Sequence, residues 1–311
     1  MSTTSTAIAG GIVPPLSTPL TADGEVDTRS LVRLTEYLLA AGVHGLFALG
    51  STGEVAFLTD DQRAQVIDTV VRTTAHQVPV FAGVIDTTTP RVLPHIHQAA
   101  ELGADGVVAT APFYTRTHPA EIENHFRLLA AGSSLPIIAY DIPVSVHSKL
   151  DTAMLIRLAQ DGVLSGVKDS SGDDAGLRGR VLAARSIADR FAVLTGSELT
   201  TDAALEFGAH GAVPGLGNVD PEGYVRLWDL VQKGDLTAAT AEQERLYALF
   251  GLVDAADPGR MGGASSALGA FKAALQLRGV IDCARTADPY LPLNEDEIAH
   301  VRARLDAAGL L

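Results

Sequence analysis

The stretch ELGADGVVATAP, residues 101–112, decides the fold. It reads as the end of a helix, a stop at Gly103, and then a strand of unbroken apolar residues. The phrase AAGVHGLFA, residues 40–48, says the same thing, with Gly42 in the stopping place. Glycine suits the position just past a helix because it enters the left-handed conformation without a Cβ clash. A unit that returns along the chain is the mark of a repeating architecture.

Working outward, strand-like runs recur at residues 11–20, 45–50, 78–84, 106–112, 136–143, 163–168, 191–196 and 211–217. Most are continuously apolar and not alternating, which is the pattern of parallel strands covered by helices. The segments between them have helical spacing. The one beginning at Ser30 carries Leu31, Leu34, Leu38 and Leu39 and stops at Gly42. Eight strand-and-helix units predict an α/β fold of the (β/α)8 TIM barrel type, favoured over a doubly wound sheet.

The expected organisation is a flexible N-terminal tail over residues 1–10, a barrel over 11–233 and a C-terminal helical bundle over 234–311 packed on the barrel. Helical stretches are expected near 220–232, 236–255, 263–278 and 295–309, the first of them completing the barrel.

Composition narrows the function. Of 311 residues, 47% are hydrophobic and 19% charged, so the chain can bury a sizeable core. A net charge of −14, with no basic run, argues against a nucleic-acid or anionic-membrane surface. The single cysteine, Cys283, cannot form an internal disulfide. The opening MSTTSTAIAG lacks the basic and apolar regions of a signal peptide, and no later stretch approaches the length of a membrane span. A cytoplasmic protein is expected.

In such a barrel the active site gathers at the C-terminal ends of the strands. Read in order, those ends carry Ser51, Thr52 and Glu54, then Tyr114, Tyr140 and Asp141, Lys168 and Asp169, Ser197 and Glu198, and Asn218. Lysine is scarce: Lys149, Lys168, Lys233 and Lys272 stand against nineteen arginines. An unplaced lysine at a strand end ordinarily snorkels to water or forms a salt bridge. Here the preceding VLSGV, residues 163–167, would bury its stem. Desolvation favours the neutral amine, and an amine held that way is the nucleophile that forms a Schiff base with a carbonyl substrate.

Tyr140 ends the neighbouring strand, where a hydroxyl can move the protons that imine formation requires. GSTGE, residues 50–54, is a glycine-flanked hydroxyl turn whose exposed N–H groups suit an anion. No nucleotide fingerprint or metal-ligand spacing is present, and His95 and His97 do not share a helix face. The expectation is chemistry without a metal or an organic cofactor.

These residues resemble the dihydrodipicolinate synthase and N-acetylneuraminate lyase family of class I aldolases, from about Gly11 to the C-terminus. GSTGE is similar to the family's G-[ST]-T-G-E, APFYTRT (111–117) to its A-P-Y-Y, YDIPVSVHSKL (140–150) to its Y-N-x-P, and GVKDSSGD (166–173) to its lysine motif. The resemblance implies that Lys168 is the Schiff-base lysine for pyruvate or another 2-oxo acid, with Tyr140 as proton shuttle and Ser51 as its relay. It also implies that Ser51, Thr52 and Gly53 hold the substrate carboxylate and that Gly196 and Val213 line the pocket near the lysine. Tyr114 would reach a neighbouring subunit in a homotetramer built as a dimer of dimers.

Two departures bear on the substrate. Ser145 stands where dihydrodipicolinate synthases have a carboxylate-gripping arginine, and a serine offers no charged fork. Asp141 replaces the family asparagine and is expected to repel a second carboxylate. Glu198 resembles the position at which sialic-acid lyases bind substrate hydroxyls. The leading expectation is a lyase, aldolase or dehydratase acting on a pyruvate-derived or hydroxylated 2-oxo acid. Condensation of pyruvate with aspartate semialdehyde is the runner-up, and a non-catalytic 2-oxo acid binding protein is the alternative of another class.

Overall fold

The computed structural model describes residues 10–311. The tail expected over residues 1–10 falls, except for Gly10, outside the described residues. Eight strands alternate with helices: β1 (Gly11–Ile12), β2 (Leu46–Ala48), β3 (Val80–Gly83), β4 (Gly106–Thr110), β5 (Ile137–Asp141), β6 (Gly166–Asp169), β7 (Ala192–Thr195) and β8 (Gly211–Ala212). The helices are α1 (Thr28–Ala40), α2 (Asp60–Thr74), α3 (Thr89–Glu101), α4 (Pro119–Ala131), α5 (Pro143–Val146) and α6 (Thr152–Gln160). They continue as α7 (Asp174–Ala184), α8 (Thr201–Glu206), α9 (Pro221–Gln232), α10 (Leu236–Phe250), α11 (Gly263–Leu277) and α12 (Glu295–Ala307).

All ladders are parallel, in the order β1-β8-β7-β6-β5-β4-β3-β2. The seam between β1 and β2 is bridged just beyond β1: Phe47 N–H donates to Pro14 O at 3.1 Å and Leu16 N–H to Phe47 O at 2.9 Å. The sheet therefore curls into a barrel. Gly42 and Gly103 adopt φ of +81° and +85°, the left-handed stops expected of them.

The run at 11–20 yields only a two-residue strand because Pro14 and Pro15 have no N–H to donate to a ladder. Likewise β8 stops before Pro214, and residues 215–218 form a 3-10 turn. The helix expected over 236–255 ends at Phe250 and passes into a second 3-10 turn, Gly251–Asp254. Helices α10, α11 and α12 share a buried apolar cluster with β1, β8 and α9 that includes Ile12, Leu216, Tyr224, Leu246, Phe271 and Leu305. Of these, α10 and α11 contribute Phe250, Leu268 and Phe271 to the wall of a cavity beyond the strand ends. No helix among the described residues is long and apolar enough to cross a membrane.

Candidate active site

The interior of the barrel is a ring of side chains drawn from every strand or its extension: Val13, Phe47, Phe81, Val108, Ile138, Lys168, Leu194 and Val213. Seven are apolar and one is a lysine. Strand register puts Lys168 opposite Tyr140 and Asp169 opposite Asp141. Because successive residues of a strand face opposite ways, Lys168 and Tyr140 point inward together while the two aspartates point out toward the helices.

Lys168 Nζ lies 4.3 Å from the centre of the Tyr140 ring and 5.0 Å from that of Phe47. Such contacts offset part of the cost of burying a cation. No carboxylate among the described residues comes within ion-pair distance of it. The Tyr140 hydroxyl and Ser51 Oγ are 3.5 Å apart. Burial pushes the Tyr140 phenol up, but the charge of Lys168 and hydrogen bonds with Ser51, Ser170 and Lys168 outweigh it and hold the phenol below the usual tyrosine range.

Ser51 belongs to the turn after β2, whose ends Leu49 and Glu54 both sit at φ +59°. Side-chain-bearing residues in that region are strained, and such strain concentrates at functional sites. Among the described residues, the N–H groups of Ser51 and Thr52 have no protein acceptor, while those of Gly53 and Glu54 turn back to Gly50 and Ser51. Ser51 and Thr52 both line the cavity, so the turn has two N–H groups and two hydroxyls available beside it. Gly53 is buried beneath it, and its carbonyl accepts from Thr18 Oγ1 at 2.8 Å, so it supports the turn and does not line the cavity.

Glu54 is withdrawn from the cavity's chemistry. Its fully buried carboxylate forms an ion pair with the equally buried Lys272 of α11 and accepts from Ala287 N–H at 2.6 Å. Lys272 Nζ also donates to Arg285 O at 2.7 Å. Burial pulls the Lys272 ammonium down, with Glu54 acting against it. This pair ties the strained turn to the C-terminal helices.

Beyond the strand ends opens a cavity of about 640 Å³. Its polar lining comes from Ser51, Thr52, Thr110, Ser145, Ser170 and Glu198, together with Glu54, which is engaged by Lys272. Glu198 has no cation partner among the described residues; Leu216 N–H donates to its Oε1 at 2.9 Å. Burial pushes its carboxyl up to about 7, against the N–H groups of Leu216 and Gly215 and the charge of Lys168. A carboxyl in that range donates or accepts a proton near neutral pH.

Sequence reading and structure part over several residues. Asp141 does not face the substrate: it is 0% exposed and turned outward, bound by Arg180 at 2.6 Å and Lys149 at 2.9 Å, with Leu150 N–H donating to it at 3.1 Å. Its expected repulsion of a carboxylate is cancelled where it sits. Gly196 lines an adjoining cleft beside Ser170, whose Oγ would lie 2.0 Å from any added Cβ, and Val213 lies in the interior ring. Tyr114 is 92% exposed with φ +74° and contributes nothing to this chain's own cavity.

Sequence reasoning missed Arg180, which also holds Asp169 at 2.7 Å and so clamps the ends of β5 and β6 from behind. It assigned no role to Lys149 or Lys272. The alternation along YD (140–141) and KD (168–169) is the signal that would have turned both aspartates away from the site and sent them looking for cations.

A family model for the dihydrodipicolinate synthetase family matches residues 8–308. The chain belongs to that family. An uncharacterized DapA-like lyase of Halobacterium salinarum is 34% identical over 301 residues, covering 97% of this chain and 94% of that protein. A 4-hydroxy-tetrahydrodipicolinate synthase of Kineococcus radiotolerans is 31% identical over 302 residues, with 97% and 94% covered. Among solved structures, YagE of E. coli K12, a prophage protein of the dihydrodipicolinic acid synthase family determined in complex with pyruvate, superposes with a TM-score of 0.90 at 28% identity, covering 97% of this chain and 99% of that one. As a member of the dihydrodipicolinate synthetase family, the chain is a lyase.

Proposed function

We propose that this lyase works through an imine between Lys168 and a 2-oxo acid such as pyruvate, with no metal or organic cofactor. The observation that carries the reading is the interior ring: its one amine is buried, lacks a counter-ion and lies against the ring of Tyr140.

The Lys168 amine adds to the keto carbon, and water leaves as the imine forms. Tyr140 gives and takes the protons of those steps, with Ser51 as its relay at 3.5 Å. Ser51 and Thr52 hold the substrate carboxylate on their N–H groups and hydroxyls. The protonated imine draws electrons from the neighbouring carbon, so a C–C bond there breaks or forms through the enamine, and hydrolysis returns the free amine. Gly196 and Val213 shape the space around the lysine, and Ser145 and Glu198 face the distal part of the substrate.

The same reading takes residues 11–233 as the barrel and 234–311 as a helical bundle packed on it, in a cytoplasmic homotetramer. Tyr114, exposed beside the cavity's mouth, is its contribution to a neighbouring subunit's site. Condensation of pyruvate with aspartate semialdehyde draws on the name of the Kineococcus relative; Ser145 stands against it, because among the described residues no cation lines the cavity.

Incubation with pyruvate and borohydride is expected to trap a stable adduct detectable by mass spectrometry. Failure to trap an adduct with pyruvate or any other 2-oxo acid overturns the imine. Lys168→Ala separates the enzyme from a mere binding protein: turnover that survives the substitution removes Lys168 from the chemistry.

A further inference from the structure

The two ends of the cavity differ in chemistry. Its polar groups are few: the turn at residues 50–54, Thr110, Ser170 and, toward the distal part, Ser145 and Glu198. The rest of the wall is mostly apolar, its largest side chains being Phe57, Phe113, Phe250, Leu268, Phe271 and Tyr290, with the Phe57 and Tyr290 rings tilted at 56° and their centres 4.6 Å apart. Val144, 81% exposed, extends this apolar surface to the rim. Among the described residues, no lysine, arginine or histidine lines the cavity.

Three classes of aldehyde can be weighed against that wall. One bearing a carboxylate or phosphate would be desolvated without a counter-charge and would meet Glu198, the lining carboxyl not bound in an ion pair. A polyhydroxylated chain would find only Ser145 and Glu198 as distal partners and would lay its other hydroxyls against phenylalanine and leucine, leaving donors and acceptors unpaired. An apolar aldehyde loses no hydrogen bond there and gains burial against five aromatic rings. The volume agrees: about 640 Å³ leaves ample room beyond a three-carbon acid for a ring-sized group.

We propose that the aldehyde partner is uncharged and apolar, aromatic or bulky aliphatic, so that the enzyme interconverts pyruvate and that aldehyde with a 4-hydroxy-2-oxo acid carrying an apolar group on C4. This deepens the Lys168 imine reading and rests on it. In the forward sense the methyl carbon of pyruvate, as the enamine on Lys168, bonds to the aldehyde carbon. The aldehyde oxygen takes up one proton and becomes the C4 hydroxyl, and water then releases the product and the free lysine. Nothing is oxidised or reduced overall. The single hydroxyl so formed is the one that Glu198 meets.

The test is retro-aldol cleavage of three compounds by the intact enzyme, read as pyruvate released: 4-hydroxy-4-phenyl-2-oxobutanoate, a 2-keto-3-deoxy sugar acid and 4-hydroxy-2-oxoglutarate. The phenyl compound is expected to exceed both others in kcat/KM by about tenfold or more, as burial of a ring allows. Leu268→Asp should lower kcat/KM for the phenyl compound by about tenfold or more, and Leu268→Met should largely retain it. A borohydride adduct with pyruvate accompanied by equal or faster cleavage of the sugar acid or the dicarboxylate overturns this inference and leaves the imine standing. Absence of both adduct and cleavage overturns the two together.

Discussion

Two lysines are buried in this molecule, and they live in opposite surroundings. Lys272 on α11 is 1% exposed and meets a carboxylate and a carbonyl, Glu54 and Arg285 O. Lys168 on β6 is 5% exposed and meets two aromatic faces and no carboxylate. A buried amine bound to a carboxylate and a carbonyl is tied up in those contacts, whereas one that meets only aromatic faces is left available to a substrate carbonyl. Burial alone therefore does not mark a reactive lysine; burial without a partner does.

The comparison breaks most sharply under substitution of Lys168. Lys168→Ala is expected to lower kcat by at least about 10⁴-fold, the scale lost when a covalent nucleophile is removed, while the thermal midpoint stays near that of the wild type. Glu54→Gln attacks the other lysine. It leaves Lys272 buried with its charge uncompensated and is expected to cost about 3–5 kcal/mol in denaturant-measured stability. Replacing both partners, Glu54→Leu with Lys272→Met, should recover much of that loss, and a double variant as unstable as the single one would show that the pair is not what Glu54 provides.

Tyr140→Phe keeps the ring beside Lys168 and removes the proton carrier. The expectation is a kcat lower by about 10²- to 10³-fold with the pyruvate adduct still trapped, more slowly. An unchanged kcat would take Tyr140 out of the proton path.

The smallest effect is a pH dependence. The Glu198 carboxyl is raised in the folded state to about 7, above the ordinary carboxylate value of 4.5. Between those values the folded protein holds a proton that the unfolded chain has released, so this group's contribution to stability falls as pH rises from 4.5 toward 7. Glu198→Gln, which cannot ionise, should become progressively more stable relative to the wild type across that window. It should also lose any inflection near pH 7 in kcat/KM. Parallel stability curves for the two proteins would contradict the assignment.

Much of this was legible in the chain. Continuous apolar runs and helix-stopping glycines at 42 and 103 suffice for a parallel barrel, because backbone geometry and burial act locally. Lys168 and Tyr140 were legible together because adjacent strands ending at the same level put them side by side. Asp141 was misjudged because a sequence names a charge without its partner: Arg180 lies far along the chain on α7, and only folding brings the two to 2.6 Å. Glu54 was read as part of an anion-binding turn for the same reason, with Lys272 more than two hundred residues away. The apolar wall of the cavity gathers Phe57, Phe113, Phe250 and Leu268 from four separate segments, none of which carries a pattern of its own.

The central claim is that the unpartnered lysine, and not the partnered one, is the nucleophile. Peptide mapping of the borohydride-reduced pyruvate adduct tests it most directly. The adduct is expected on the peptide containing Lys168, with Lys149, Lys233 and Lys272 unmodified, and to vanish in Lys168→Ala. An adduct on Lys272, or one that persists in Lys168→Ala, would contradict the account.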